Sequence, residues 1–586
     1  MMMFNKIVSL IMSILISMTG YVYTSFNGMI DSMSELVFGL PYSTQAIKDG
    51  FLNGIGDAEV ESFDEESGYI NDKIAVFLRA DVSFFEKLSF FKKSGGKVIG
   101  WSTPVDLYVL DYDEMTYSAI EKKCNILKKN NCVELAVPLT ASKYSFDGTP
   151  TDDFGIVDTE FVWDEINPEG RNWWLEAIDA RQAWDYSDKF NNIKAGIVDG
   201  GVDIEHPELK GKIYFPDSES ESRNYPDSHG THVSGIIGAY HNDTGITGIV
   251  DRSEICCIDC MPEVSQNWYI DAAIYFGFSK AVKSGAKVIN FSLGSSSSKY
   301  GNYSTLTESL ITPVVYSYMM SSLLAKGYDF VVVQSAGNGD VYGVPIDTRN
   351  NGLFSNINKY NAFTGLYNIS PQSIVDRIII VGSADNDGDG NFTQSCFSNV
   401  GERVDISAPG TDIYSLSTDG GYEFMSGTSM AAPIVTGVAS LVWSVNSDFT
   451  GDEVKKIVVS SYDSVAKIST DILYEYDAVY KEYPLVNAKL AVEEAIRRTY
   501  PNYGTVSGFV DGNVCEIRYN GTSYTAFSNG NYSFVAPAGT GEIEAFNAKG
   551  ESLGKVYVTV VEGKTTVADN IISNRIDFAT ETDAKH

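Results

Sequence analysis

Five short strand-like runs, at residues 194–198, 255–258, 288–291, 330–333 and 378–381, recur through the middle of this chain with helix-like segments between them. Runs this apolar suit strands covered on both faces, and parallel strands need a crossover long enough to hold a helix. The pattern predicts an α/β domain, a parallel sheet flanked by helices, whose ligands bind beyond the carboxyl ends of the strands. At 586 residues the chain exceeds one ordinary domain, and its 44% hydrophobic content suffices for a large core with smaller modules beside it.

Upstream, residues 71–139 run strand, helix, strand, strand, helix, strand, the order of a ferredoxin-like α+β unit. Residues 142–172 are acidic and irregular, with Asp147-Gly148-Thr149-Pro150 as a turn signal, and read as a linker. From Tyr503 to about Ser573 the helix patterns stop and short strands with turn residues take over, which predicts an all-β sandwich. The expected division is therefore a leader at 1–25, the α+β unit within 26–140, a linker at 141–172, the α/β domain at 173–500, the sandwich at 501–575 and a polar tail at 576–586.

Acidic residues outnumber basic ones, 77 to 43, for a net charge of -34. That balance argues against nucleic acid or anionic lipid as a main partner and is otherwise a solvated surface. Seven cysteines, an odd and sparse number, make no disulfide framework. Cys257 and Cys260 form a C-x-x-C pair on a strand-like run, but no second pair or nearby histidine completes a zinc set, so they read as small buried hydrophobes. At the start, Lys6 precedes an apolar run at 7–16, the pattern of an export signal. A retained anchor stays open, because residues 17–23 extend the run and no clear small-x-small cleavage site follows.

The chemistry gathers at four stations. Gly427-Thr428-Ser429-Met430-Ala431-Ala432-Pro433 places Ser429 at the head of an apolar helix, with Pro433 in its first turn. Free backbone N–H groups and partial positive charge there suit a forming oxyanion, although a serine in that place is also an ordinary helix cap. Asp199, ahead of Gly200-Gly201, ends an apolar strand, and His229 in His229-Gly230-Thr231-His232 heads a helix at 233–239. A serine hydroxyl becomes a competent nucleophile when an imidazole takes its proton and a buried carboxylate fixes that imidazole. Asp199, His229 and Ser429 supply those parts, and Asn338, after the strand at 330–333, supplies an amide donor for the oxyanion.

These motifs, in this chain order, resemble those of the subtilisin-like serine proteases, or subtilases, over residues 173–498. The resemblance implies a serine endopeptidase acting on proteins or peptides, secreted or at the cell surface, with no cofactor required for chemistry. It implies that Ser292-Leu293-Gly294 and Ser335-Ala336-Gly337 bind substrate, the first by pairing with an extended chain. The α+β unit resembles the family's propeptide, an inhibitor and folding aid removed by self-cleavage between about Val137 and Trp173, and the sandwich resembles carboxypeptidase-regulatory-like modules. One departure is Gly200, where the family usually has serine or threonine; the change removes a hydroxyl beside Asp199.

The loop at 241–248 is similar to the family's calcium loop, with Asn242 and Glu208 as oxygen ligands of a structural calcium. Asp385-Asn386-Asp387-Gly388-Asp389-Gly390 begins like an EF-hand loop, yet Cys396 stands where the closing glutamate belongs, so a solvated turn is the competing reading. His229 and His232 lack a third ligand for zinc, and His232 is expected to pack inside its helix. Two further function classes stay open at this stage: a dedicated processing peptidase of narrow specificity, and a catalytically weak surface binding protein.

Overall fold

The computed structural model describes residues 51–52, 60–63, 67–142, 144–145, 149–150 and 172–572, apart from 218–219, 222–223, 243–244, 261–262, 266–267, 296–310, 340–343, 366, 387–390, 469–481 and 512–513. The expected leader and polar tail, and most of the linker, lie outside the described residues.

Six strands of the central domain form a parallel sheet: β5 (Ile193–Asp199), β6 (Ser253–Asp259), β7 (Val288–Phe291), β8 (Val331–Ser335), β9 (Ile378–Asn386) and β10 (Ile406–Pro409). Their order is β6-β5-β7-β8-β9-β10, with the short strand Ile213–Tyr214 beyond β6. Alternation along β5 sends Ala195 and Ile197 to one face and Val198 to the other. On the first face lie α3 (Ser228–Gly238), α6 (Thr428–Val445), α7 (Gly451–Ser460) and α8 (Ala488–Thr499). On the second lie α4 (Asp271–Lys283) and α5 (Thr312–Ala325). Gly196 permits the close approach of α4, since a Cβ there would sit 3.2 Å from that of Ala281 and 3.0 Å from the tip of Ile289.

Helix α6 passes through the centre of this core with all its residues buried. It is the one helix among the described residues long and apolar enough to cross a membrane, and its complete burial marks it as a core helix. Two expectations need correction here. The helix begins at Thr428, so Pro433 lies in its second turn and not its first. Likewise α3 begins at Ser228, five residues earlier than its apolar run suggests, because Asp227 caps it by accepting the N–H groups of His229 and Gly230 at 2.8 and 3.3 Å.

Upstream stand β1 (Ser67–Leu78), α1 (Phe84–Ser94), β2 (Lys97–Ser102), β3 (Leu107–Asp111), α2 (Tyr117–Leu127) and β4 (Val133–Ser142). They form an antiparallel sheet in the order β2-β3-β1-β4, one face covered by α1 and α2. The other face packs on α4 and α5, with Phe77 edge-on to Tyr318 at 5.5 Å. Polar contacts fix the docking: the Ser102 and Ser279 hydroxyls meet at 2.7 Å, Thr140 donates to Asp271, and Lys326 reaches Asp106 at 2.7 Å. Beyond β4 the sheet continues into the central domain through Trp268–Ile270 and Glu263–Ser265. In the stretch after Asp340, Phe354 lies against Phe291, and Phe363 and Tyr367 lie against Tyr318.

After α8 the chain forms two four-stranded sheets around Val506, Ile517, Phe534 and Ile543. This module is joined to the central domain by buried polar groups. The Tyr186 hydroxyl donates to Glu493 at 2.9 Å and accepts the Val535 N–H at 2.8 Å. Asp185 accepts the Thr525 N–H at 2.6 Å and its hydroxyl at 2.9 Å.

Burial pushes the Asp185 carboxyl up to about 6 despite those two donors. A folded-state value above the ordinary 3.8 means the folded protein holds this proton more tightly. The stability it contributes is full below that ordinary value and is lost as pH rises through about 6. Asp185→Asn keeps the two contacts, because a threonine hydroxyl also accepts, and removes the titration. The Tm difference between variant and wild type is expected to move in the variant's favour as pH is raised across that window; a difference independent of pH would contradict this account.

Candidate active site

Each catalytic candidate sits where an element of the central sheet ends or a helix begins. Asp199 is the last residue of β5 and fully buried; its Oδ1 accepts the Gly200 N–H at 2.7 Å and the His229 Nδ1–H at 2.8 Å. The Asp–His bond fixes the imidazole so that Nε2 is the atom available to take a proton. Burial pushes the Asp199 carboxyl above its ordinary value, against the opposing pull of His229. The departure at Gly200 has a visible correlate: Asp199 Oδ2 is buried without a hydrogen-bond partner among the described residues. A Cβ at position 200 would come within 3.1 Å of Asp227 Oδ1, so the capping aspartate fills the space that a side chain there would need.

Ser429 stands in the first turn of α6, held by a reciprocal pair of bonds. Its hydroxyl donates to the Ser292 carbonyl at 3.0 Å, and the Ser292 hydroxyl donates to the Ser429 carbonyl at 2.8 Å. Pro433 explains the second bond. In an α-helix the Ser429 carbonyl would receive the N–H of residue 433, which proline lacks, and a buried carbonyl left bare is costly. Ser292, just after β7, replaces that donor.

Asn338 lies beside the same helix end. Its Oδ1 accepts the N–H and the hydroxyl of Thr428, both at 2.8 Å. With the amide oxygen engaged there, the network assigns the NH2 group as the side chain's donor. The loop carrying it needs a left-handed turn, supplied by Gly337 at φ 95°. Asn399, nearly fully buried, holds this loop: it donates to the Ala336 carbonyl at 2.9 Å and accepts the Gly339 and Ile346 N–H groups, each at 3.0 Å. The supporting roles of Asp227 and Asn399 were missed from sequence; an aspartate directly before a helix-opening motif was a signal for the first, and nothing local marked the second.

The substrate-binding candidates behave unequally. Ser292 and Leu293 are buried, while Gly294 begins a two-residue strand that pairs through its backbone. Ser335 and Ala336 are buried as well, and the Ala336 N–H and Gly337 N–H bond to Val381 and Thr428. Those two groups stabilise the loop.

The metal candidates come together, with Asn242 Nδ2 donating to Glu208 Oε2 at 3.0 Å and the Tyr422 hydroxyl to Glu208 Oε1 at 3.0 Å. Among the described residues no group of three or more His, Cys, Asp or Glu side chains is placed to hold a metal. His232 is buried and hydrogen-bonds the Ile413 carbonyl at 3.0 Å, and burial pushes its imidazole down to about 3, so it packs as a neutral donor. Cys257 and Cys260 are buried free thiols behind Asp199, the Cys260 sulfur 3.3 Å from the Asp199 carbonyl; burial pushes both well above the ordinary thiol range. Of the EF-hand-like run, residues 387–390 lie outside the described residues.

A serine at one helix head, a carboxylate-bound imidazole at another and an amide after a strand end are the parts that a serine hydrolase of the acyl-transfer type requires. Comparison with known proteins narrows the class. Residues 191–476 match the subtilase family. Thermitase of Thermoactinomyces vulgaris is 33% identical over 277 residues, 46% of this chain and 82% of its own. A thermophilic serine proteinase of Bacillus sp. (strain AK1) is 27% identical over 446 residues, 74% of this chain and 94% of its own. The crystal structure of fervidolysin from Fervidobacterium pennivorans, a keratinolytic enzyme related to subtilisin, shares the fold with a TM-score of 0.53 at 21% identity, over 90% of this chain and 83% of that one. The chain belongs to the subtilase family and is a subtilisin-like serine endopeptidase, a hydrolase.

The Ser292–Pro433 relation is testable by stability. Ser292→Ala is expected to cost about 1–3 kcal/mol by leaving the Ser429 carbonyl bare. The cost should shrink in a Pro433→Ala background, where the helix supplies its own N–H. Denaturant unfolding in a Ser429→Ala background, which prevents autolysis, reads both; equal costs in the two backgrounds would overturn the relation.

Proposed function

We propose that this endopeptidase is made as an exported zymogen and cleaves peptide bonds through an acyl-enzyme on Ser429. The observation that carries the proposal is the 2.8 Å His229–Asp199 bond at the strand end, in a domain where Ser429 heads the central helix. His229 serves as general base toward the Ser429 hydroxyl and then as general acid toward the leaving amine. Asp199 orients it and stabilises the imidazolium. Asn338 and the N–H at the head of α6 hold the oxyanion. Water then releases the acid and restores the serine.

The zymogen part rests on the upstream α+β sheet, whose last strand continues into the central domain's edge, and on the resemblance of that unit to a subtilase propeptide. Export rests on the leader-like run after Lys6 and on family resemblance. A structural calcium is part of the proposal: the Glu208 carboxylate and the Asn242 amide are oxygen donors of the right type, to be completed by loop carbonyls. Such an ion takes no part in the chemistry.

Ser429→Ala is expected to abolish hydrolysis of casein and of peptide substrates, and unchanged activity would sink the mechanism. Asn338→Leu should lower kcat by about a hundredfold to a thousandfold with KM little changed, the size of losing one oxyanion donor in a subtilisin. Treatment with EDTA should lower Tm in the wild type but not in Glu208→Gln; equal Tm with and without chelator in the wild type would remove calcium from the proposal.

A further inference from the structure

The face of β7 that meets α6 carries two buried polar side chains, Asn290 and Ser292. Alternation sends Ile289 and Phe291 to the second face of the sheet, so Asn290 and Ser292 turn to the first, toward α6. On α6 itself, Ser429 and Thr436 lie two turns apart on one stripe of the helix. The Thr436 hydroxyl donates to Asn290 Oδ1 at 3.0 Å, and Asn290 Nδ2 donates to the Ser292 hydroxyl oxygen at 2.9 Å. The Ser292 hydroxyl in turn donates to the Ser429 carbonyl at 2.8 Å. Asn290, Ser292 and Thr436 are fully buried, and Ser429 is nearly so.

The direction of donation is forced. A carbonyl only accepts, so the Ser292 hydroxyl spends its proton on Ser429 and has to receive one from Asn290. That turns the amide NH2 toward Ser292 and the amide oxygen toward Thr436, which must donate. Groups sealed from water are thereby satisfied in one sequence, and reversing any bond strands a donor or an acceptor. An amide side chain among apolar strands is costly without such partners. The register of Asn290 is central: it lies across from Ile197 of β5 and Val333 of β8. Each of those stands two residues before the end of its strand, at Asp199 and at Ser335.

We infer that Asn290 is a positioning residue for the nucleophile, with Thr436 as its anchor. The Ser292 bond fixes α6 at its head, and the Asn290–Thr436 bond fixes it two turns further on, so the helix is held against both sliding and turning over β7. Both points lie on the strand between the one that carries Asp199 and the one that leads to Asn338. Asn290 also holds the Ser292 side chain in the rotamer that reaches the Ser429 carbonyl. Asn290 and Thr436 are too deeply buried to meet substrate, so their effect on rate passes through the placement of Ser429 Oγ. A displacement of about 1 Å at the reacting atoms costs roughly a hundredfold. The inference rests on the acyl-enzyme reading, since it concerns where that nucleophile stands.

The test expresses the full chain and compares peptide hydrolysis by the wild type and its variants, with active sites counted by titration so that rates refer to folded molecules. Asn290→Leu should lower kcat by roughly tenfold to a hundredfold with KM little changed. Thr436→Val should lose less, and Thr436→Ser, which keeps the hydroxyl, should restore the wild-type kcat. Asn290→Leu combined with Ser292→Ala should lose only as much as the more severe single variant, because both act through one hydroxyl. The pH at which kcat/KM falls on the acid side should not move, since no member of the relay titrates. Where Asn290→Leu gives no folded enzyme, Thr436→Val combined with Ser292→Ala carries the same comparison. A wild-type kcat in both Asn290→Leu and Thr436→Val, a rise in KM alone, or losses that multiply in the double variant overturns the inference and leaves the acyl-enzyme reading standing. Hydrolysis that survives in Ser429→Ala overturns that reading itself.

Discussion

Where the nucleophile stands is decided by a hydrogen bond that its own helix cannot make. Pro433 withholds the N–H that would close the turn over Ser429, and the helix is buried along its whole length, so no water can serve instead. The donor comes from Ser292, at the exit of β7. Because β7 lies between β5 and β8, the head of α6 is tied to the middle of the sheet. β5 carries Asp199, the loop after β8 carries Asn338, and both are thereby referred to one frame. The catalytic distances follow from sheet geometry, which is stiffer than any loop.

A second constraint governs the upstream unit. An antiparallel sheet has two faces to cover; α1 and α2 cover one, and α4 and α5 of the central domain cover the other. Asp106, nearly buried, sits between Lys87 and Lys326 at 2.7 Å from each, so the central domain supplies half of its neutralisation. The contact between the two units is therefore spread over helices on one side of the sheet, and its last strand pairs with Tyr269 and Ile270 of the central domain.

Much of this was legible in the sequence because it is written in local patterns. The five apolar runs give five of the six strands of the parallel sheet, the sixth being Ile406–Pro409, and Asp199, His229, Asn338 and Ser429 stand at or just after strand ends or at helix heads, as their flanking glycines and apolar runs implied. What escaped is long-range. Asn399 serves a loop some sixty residues away in sequence, through bonds that no periodicity encodes. Pro433 was placed one turn early because a helix that starts on polar residues shows no apolar period there. In the stretch after Asp340, Phe354, Phe363 and Tyr367 pack against α5 and the rings beneath it, while Tyr360 stays exposed. Composition alone does not say which partner an aromatic finds.

The buried tyrosine between the last helix and the sandwich bears on how such modules can be exchanged. Tyr186 is an acceptor for Val535 and a donor to Glu493, which in turn pairs with Lys489 at 2.8 Å. A replacement module would have to present a backbone N–H at that one point, or leave a phenol and a carboxylate sealed without their third member. Exchange at this junction is thus constrained by hydrogen-bond parity more than by shape, and the constraint is set by a residue lying more than three hundred positions before the sandwich.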